Sequence, residues 1–209
     1  MKLKERLNPN NSALIVIDIQ NDFCHPQGKR GSELSDIDSL IDRLSEFIDA
    51  AREQGVPIIF IRTEHDKSLD SEAWLARLGK NIDPDTYVPN CQPGSWGAEF
   101  YRLKPAEEDI VITKNRYSAF VGTNLNLVLQ SLKRRSLLFT GVATNICVET
   151  SLRDAISHDY YAALVEDCCG TFSPEEHQST IRNVEKQFGY VTTSAEVCGY
   201  WRNELQQQG

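Results

Sequence analysis

Short apolar runs rich in β-branched residues alternate along this chain with amphipathic stretches at helical spacing, and that alternation restricts the fold more than any other feature. Residues 13–19 (ALIVIDI) are almost continuously apolar. Ile37, Leu40, Ile41, Leu44, Phe47, Ile48 and Ala51 then recur at steps of three and four, which predicts one buried face of a helix. Gly55 and Pro57 punctuate its exit, and residues 56–61 (VPIIFI) predict a second strand. The rhythm continues with a strand over 109–113, a helix through 125–132, a strand over 136–142 and a helix from about 145 to 158. A strand over 162–165 and its flank follows. Ser173-Pro174-Glu175-Glu176 then combines a cap, a first-turn proline and a glutamate three residues on, a strong helix start. Residues 190–197 predict a last strand. Strands apolar on both faces and separated by helices pack as a parallel sheet covered on both sides. The expected class is therefore α/β, a three-layer α/β/α sandwich around a mainly parallel six-stranded sheet, wound in the Rossmann-like manner.

The 209 residues suit one domain with its own core. One segment, about 68–108, breaks the rhythm. It holds four of the eight prolines (Pro84, Pro89, Pro93, Pro105) and two of the three tryptophans (Trp74, Trp96). A long irregular excursion within a compact domain serves function or an interface more often than it idles.

Composition removes several classes of function. With 22 basic and 30 acidic residues the net charge is -8, which disfavours nucleic acid and anionic membranes, both of which need clustered Lys and Arg. The apolar run at 160–165 is six residues long, against the roughly 18 or more of a membrane span. Charges at Lys2, Lys4, Glu5 and Arg6 have no apolar block behind them, so no signal peptide is expected and a cytoplasmic location is. Thiols stay reduced in that compartment. The cysteines at 24, 91, 147, 168, 169 and 198 form no C-x-x-C pair and match neither a zinc ribbon nor a disulfide framework.

Ligands of open α/β sheets bind beyond the carboxyl ends of the strands, where the strand order reverses. Asp18, Gln20, Asn21 and Asp22 close the first strand, Lys114 the third, and Gly141-Val142-Ala143-Thr144-Asn145-Ile146-Cys147 the fourth. Three different chemistries thus converge on one sheet edge. With Thr144 as helix cap, Cys147 falls at the third helical position, where unpaired N–H groups favour a thiolate nucleophile. A carboxylate inside an apolar strand, as at Asp18, needs a cation or a proton-transfer role, and Lys114 is the cation at hand. Taken alone, Cys147 also reads as a small packing residue, and Asp18 with Lys114 as a structural pair.

Taken together, 13–23 (ALIVIDIQNDF), the Lys114 of 109–114 (DIVITK) and 141–148 (GVATNICV) resemble, in order, the three signatures of the isochorismatase-like cysteine hydrolases. The similarity runs to Thr193-Ser194-Ala195-Glu196-Val197. It implies a catalytic triad of Asp18, Lys114 and Cys147. It also implies a non-proline cis peptide between Val142 and Ala143, with the N–H groups of Ala143 and Cys147 forming an oxyanion hole. The implied reaction is cleavage of a small amide or ureide through a thioester on Cys147, with no cofactor.

Branches of the family differ in ways the sequence can address. Members that hydrolyse isochorismate resemble this pattern but lack the cysteine. Nicotinamidases carry a D-x-H metal site after the second strand, whereas this chain reads Arg62-Thr63-Glu64-His65-Asp66-Lys67 with no second histidine nearby, so no metal is expected. The stretches 93–99 (PGSWGAE), 114–120 (KNRYSAF) and 141–145 (GVATN) look most like the amidohydrolases of carbamoyl compounds: ureidoacrylate, biuret and N-carbamoyl amino acid types. Phe23, Trp96 and Tyr117 are the candidate substrate-binding walls. A homodimer or homotetramer is implied by resemblance, with 68–108 a candidate contact. The alternatives are a nicotinamidase-type amide hydrolase, a catalytically silent member of the fold, and a thiol redox protein using the adjacent Cys168 and Cys169.

Overall fold

Six strands form one sheet: β1 (Ser12–Ile17), β2 (Ile58–Thr63), β3 (Ile110–Lys114), β4 (Ser136–Val142), β5 (Tyr161–Gly170) and β6 (Tyr190–Thr192). Their order is β3-β2-β1-β4-β5-β6, and every neighbouring pair is parallel. The structure, a computed structural model, describes residues 3–34, 36–77, 83 and 86–207. The helices are α1 (Leu3–Arg6), α2 (Asn21–Cys24), α3 (Ile37–Glu53), α4 (Glu72–Ala76), α5 (Leu125–Ser131), α6 (Glu149–Ser157), α7 (Pro174–Asn183) and α8 (Ser194–Gln207). Among the described residues no helix is long and apolar enough to cross a membrane.

The pleat sorts the apolar runs into two cores. Leu14, Val16, Ile58, Phe60, Leu138 and Val165 face α3 and α8. Their sequence neighbours Ala13, Ile15, Ile17, Ile59, Ile61, Leu137 and Phe139 face α5, α6 and α7. Continuous apolar sequence is therefore required here, because alternate side chains enter different layers. The predicted face of α3 is the buried one, from Ile37 through Ala51.

The last strand differs from expectation. It stops at Thr192, and residues 194–197 begin α8. Thr193 and Glu196 close a capping box: Thr193 Oγ1 accepts from Glu196 N–H at 3.3 Å, and Glu196 Oε2 accepts from Thr193 N–H at 3.1 Å. That local pairing overrides the β-favouring run before it. It also aims Val197 and Trp201 at the core, where the Trp201 ring stacks on Phe47 at 5.6 Å and its Nε1–H donates to the Leu7 carbonyl at 2.8 Å.

Candidate active site

The strand order reverses between β1 and β4, so the crevice expected of such sheets opens at their carboxyl ends. The two strands approach unusually closely there. Ile17 pairs with Gly141, which sits at φ 111°. A Cβ on residue 141 would lie 2.0 Å from the Ile17 carbonyl oxygen. Only glycine fits both the conformation and the contact. Immediately beyond, Asp18 takes φ 54°, which ends β1 at Ile17, two residues earlier than an apolar reading of 13–19 implies. Its N–H donates to the Ile61 carbonyl at 2.9 Å.

That turn points the Asp18 carboxylate at Lys114, the last residue of β3. Both side chains are 1% exposed, and Nζ lies 2.8 Å from Asp18 Oδ2. The contact to Oδ2 is ionic rather than aligned as a hydrogen bond. The aligned partner of the carboxylate is Thr63, whose hydroxyl donates to Oδ1 at 2.9 Å and accepts from Lys114 Nζ at 2.5 Å. Parallel pairing of Thr63 with Lys114 places it there. Gln20 fixes Thr63 in turn: its Oε1 accepts from Thr63 N–H at 2.7 Å, and its Nε2 donates to the Thr63 carbonyl at 2.9 Å. Residue-type arguments passed over Thr63, because a threonine at a strand end carries no signal until its neighbours are known.

Cys147 completes the group. Lys114 Nζ donates to its Sγ over 3.4 Å. The local backbone differs from the helix start the sequence suggested. Ala143 is the capping residue, residues Thr144–Val148 form a π turn, and α6 begins after it. The Ala143 carbonyl accepts from the N–H groups of Ile146 and Val148. Thr144 does not cap; its hydroxyl is 2.9 Å from His177 Nδ1. The peptide between Val142 and Ala143 is cis.

The electrostatics of the sulfur also correct the expectation of a lowered thiol. Burial pushes Cys147 up to about 12, with Lys114 opposing the shift and the Asp18 carboxylate adding to it. Burial works against the Lys114 charge as well, but Asp18 and Cys147 outweigh it and hold the ammonium above its ordinary range. Burial and these neighbours thus favour a neutral Cys147 thiol beside a charged Lys114. In such an arrangement an ammonium can offset charge on the sulfur, and a carboxylate can take up a proton.

A cavity of about 110 Å³ covers Asp18, Lys114 and Cys147. Phe23 and Tyr117 line it, together with Trp74, Tyr87 and Asn90 from the excursion. Trp96 does not. It is 47% exposed, its ring meets His25 edge-on at 4.9 Å, and its carbonyl accepts from Asn21 Nδ2 at 2.8 Å. The excursion is held against the site by the polar residues after β1. Gln20 Nε2 donates to the Ala98 carbonyl, Asn21 N–H to the Glu99 carbonyl, and Asp22 Oδ2 accepts from Cys91 N–H at 2.7 Å. Of the four polar residues at the end of β1, only Asp18 faces the cavity; the other three seat its wall.

The segment after β2 forms ion pairs among its own neighbours. Glu64 pairs with Arg62 at 3.2 Å, and His65 Nδ1 lies 3.5 Å from Asp70 Oδ1. Burial lowers the His65 pKa despite that neighbour. Among the described residues no group of three His, Cys, Asp or Glu side chains could hold a metal ion.

A profile of the isochorismatase domain matches residues 12–196. The chain belongs to the isochorismatase domain family. The match spans all six strands and everything described above as the site. Within the family, the chain is 34% identical to ureidoacrylate amidohydrolase RutB of Agrobacterium fabrum, over 92% of this chain and 91% of that one. It is 33% identical to ureidoacrylate amidohydrolase RutB of Rhizobium rhizogenes, over 92% and 84%. Among solved isochorismatase-type folds, a cysteine hydrolase from Pseudomonas syringae pv. phaseolicola superposes with a TM-score of 0.83 at 24% identity, covering 95% of both chains. The nicotinamidase PncA from Bacillus subtilis gives 0.75 at 26%, covering 87% of this chain and 99% of its own.

Proposed function

We propose that this protein is a cysteine amidohydrolase that cleaves a C–N bond of a small carbamoyl compound, of the ureidoacrylate type, through a thioester intermediate. The observation that carries the reading is one buried ammonium, Lys114, in contact with both a carboxylate and a thiol at the floor of a cavity. As Cys147 Sγ attacks the carbamoyl carbon, its proton passes to Asp18 and the new thiolate charge is offset by Lys114. The oxyanion is received by the N–H groups of Ala143 and Cys147, donors whose loss elsewhere costs about 3–4 kcal/mol of barrier. Asp18 then gives the proton to the departing nitrogen, and the C–N bond breaks. Water attacks the thioester, its proton goes to Asp18, and the C–S bond breaks. Asp18 returns the proton to the sulfur, which resets the site.

The names of the relatives at 33–34% identity favour the ureide over the nicotinamide reading. The test is mass spectrometry of the protein mixed with ureidoacrylate, biuret, N-carbamoyl amino acids and nicotinamide, with ammonia release followed in parallel. An acyl adduct on Cys147 from a carbamoyl compound, absent in Cys147→Ala, is the expected result. Normal turnover by Cys147→Ala overturns the mechanism. Light scattering of the same preparation reads whether the protein is the dimer or tetramer its resemblance implies.

A further inference from the structure

Four cationic side chains line the cavity of a protein whose net charge is -8. Two are already matched. Lys114 is paired with Asp18, and Arg30 is bound by both oxygens of Glu33, at 3.2 and 2.7 Å. The other two, Arg77 and Arg116, have no carboxylate within ion-pair distance among the described residues. Asp70 of the excursion lies against His65 instead.

Both guanidinium groups are nonetheless held in place. Arg77 Nε donates to Tyr117 Oη at 2.8 Å, and its NH1 donates to the Trp74 carbonyl. Arg116 donates to the carbonyls of Asn115 at 2.7 Å and Leu69 at 3.0 Å. Both lie over the Trp74 indole, with Arg77 Cζ 3.4 Å and Arg116 Cζ 4.7 Å from the ring centroid. Cation–π contact and fixed acceptors orient the forks without neutralising them. A planar fork with unspent N–H donors matches a carboxylate.

We propose that Arg77 and Arg116, stacked on Trp74, form a carboxylate subsite, so that the protein selects carbamoyl compounds bearing a carboxylate over neutral ureides and simple amides. The proposal rests on the reading of the cavity as an amidohydrolase site and adds to it the residues that read the far end of the substrate. It also gives the excursion a task. Arg77 and Trp74 come from the excursion, whereas Arg116 follows β3, so specificity is assembled across two segments that share no sequence continuity.

The test compares N-carbamoyl-β-alanine with its carboxamide, which keeps the ureide and removes the charge. The wild-type protein is expected to prefer the acid by 100-fold or more in kcat/KM. Arg77→Gln and Arg116→Gln should each cut that preference by about 10- to 100-fold, mainly through KM for the acid, as loss of a charge-assisted hydrogen bond does. A preference left intact in both variants, or a wild-type protein that takes acid and carboxamide equally, overturns the subsite. A binding arm separates this from failure of the amidohydrolase reading. In Cys147→Ala, tryptophan fluorescence titrated with N-carbamoyl-β-alanine reads the subsite without turnover. Saturable quenching that weakens at least tenfold on Arg77→Gln upholds the subsite even where no ureide is hydrolysed. Absence of quenching overturns it even where ureides are hydrolysed.

Discussion

The Thr63 hydroxyl donates to Asp18 Oδ1 over 2.9 Å while accepting from Lys114, so one threonine sits inside the ion pair that polarises the site. It fixes the carboxylate rotamer and leaves Oδ2 toward the ammonium. Thr63→Val preserves shape and removes the donor. The expected result is a 10- to 100-fold fall in kcat with little change in KM, on the order of the 1.5–3 kcal/mol of a hydrogen bond to a charged group. Thr63→Ser should stay within a few-fold of wild type. Steady-state kinetics of the two variants check this, and equal losses in both would point to packing instead.

Gly141 is the tightest point between β1 and β4. Gly141→Ala forces a Cβ to within 2.0 Å of the Ile17 carbonyl at φ 111°. Backbone cannot yield as a side-chain tip can, and the conformation is itself unfavourable for alanine. Destabilisation of about 3–5 kcal/mol is expected from overpacking and the positive φ together. Urea unfolding monitored by tryptophan fluorescence measures it.

Stability should fall at alkaline pH. The Cys147 thiol is held at about 12 against an ordinary value of 9.0, so the folded protein binds its proton more tightly than the unfolded chain does. Stability contributed this way is complete below about pH 9 and is lost as pH rises toward 12. The buried thiols Cys24, Cys91, Cys168 and Cys169 are shifted up by burial and act in the same direction. Denaturation midpoints between pH 8 and about 10.5 should decline. Cys147→Ala should decline less steeply.

Cys168 and Cys169 should not form a disulfide. Successive residues of β5 point to opposite faces, and Cys168 belongs to the core under α3 while Cys169 belongs to the core under α6 and α7. Cys169 is further tied by its thiol to the Phe139 carbonyl at 3.6 Å. After mild oxidation, intact-mass and peptide analysis should find both as thiols. A Cys168–Cys169 bridge formed in the folded protein would revive a redox role.

Asp22 seats the excursion over the site rather than joining the chemistry. Asp22→Ala removes the acceptor of Cys91 N–H and leaves that buried donor unpaired. The wall should loosen, raising KM several-fold with a smaller effect on kcat. Proteolysis within the excursion should accelerate at the same time, and limited digestion reads that change.

How much of this was legible beforehand follows from the range over which each feature acts. The strands, α3 and α7 are written in local patterns, because burial on a sheet or a helix face imposes its own period. Residues 194–197 are helical rather than extended for a local reason too: the Thr193–Glu196 box starts α8 directly after the β-branched run that predicts a strand. Trp96 is aromatic and lies in a motif, which predicts a pocket wall. Its ring nevertheless turns to His25, which no local pattern specifies.

By itself, the sequence determined the sheet, its coverage on both faces, and the three strand ends that carry Asp18, Lys114 and Cys147. These depend on periodicity and on residue chemistry at fixed positions in the chain. Tertiary structure alone decided that Thr63 lies within the ion pair, that burial raises the thiol, and that Arg77 and Arg116 both lie over Trp74. Each of those depends on distances and desolvation between segments far apart in sequence, and neither quantity exists until the strands have paired.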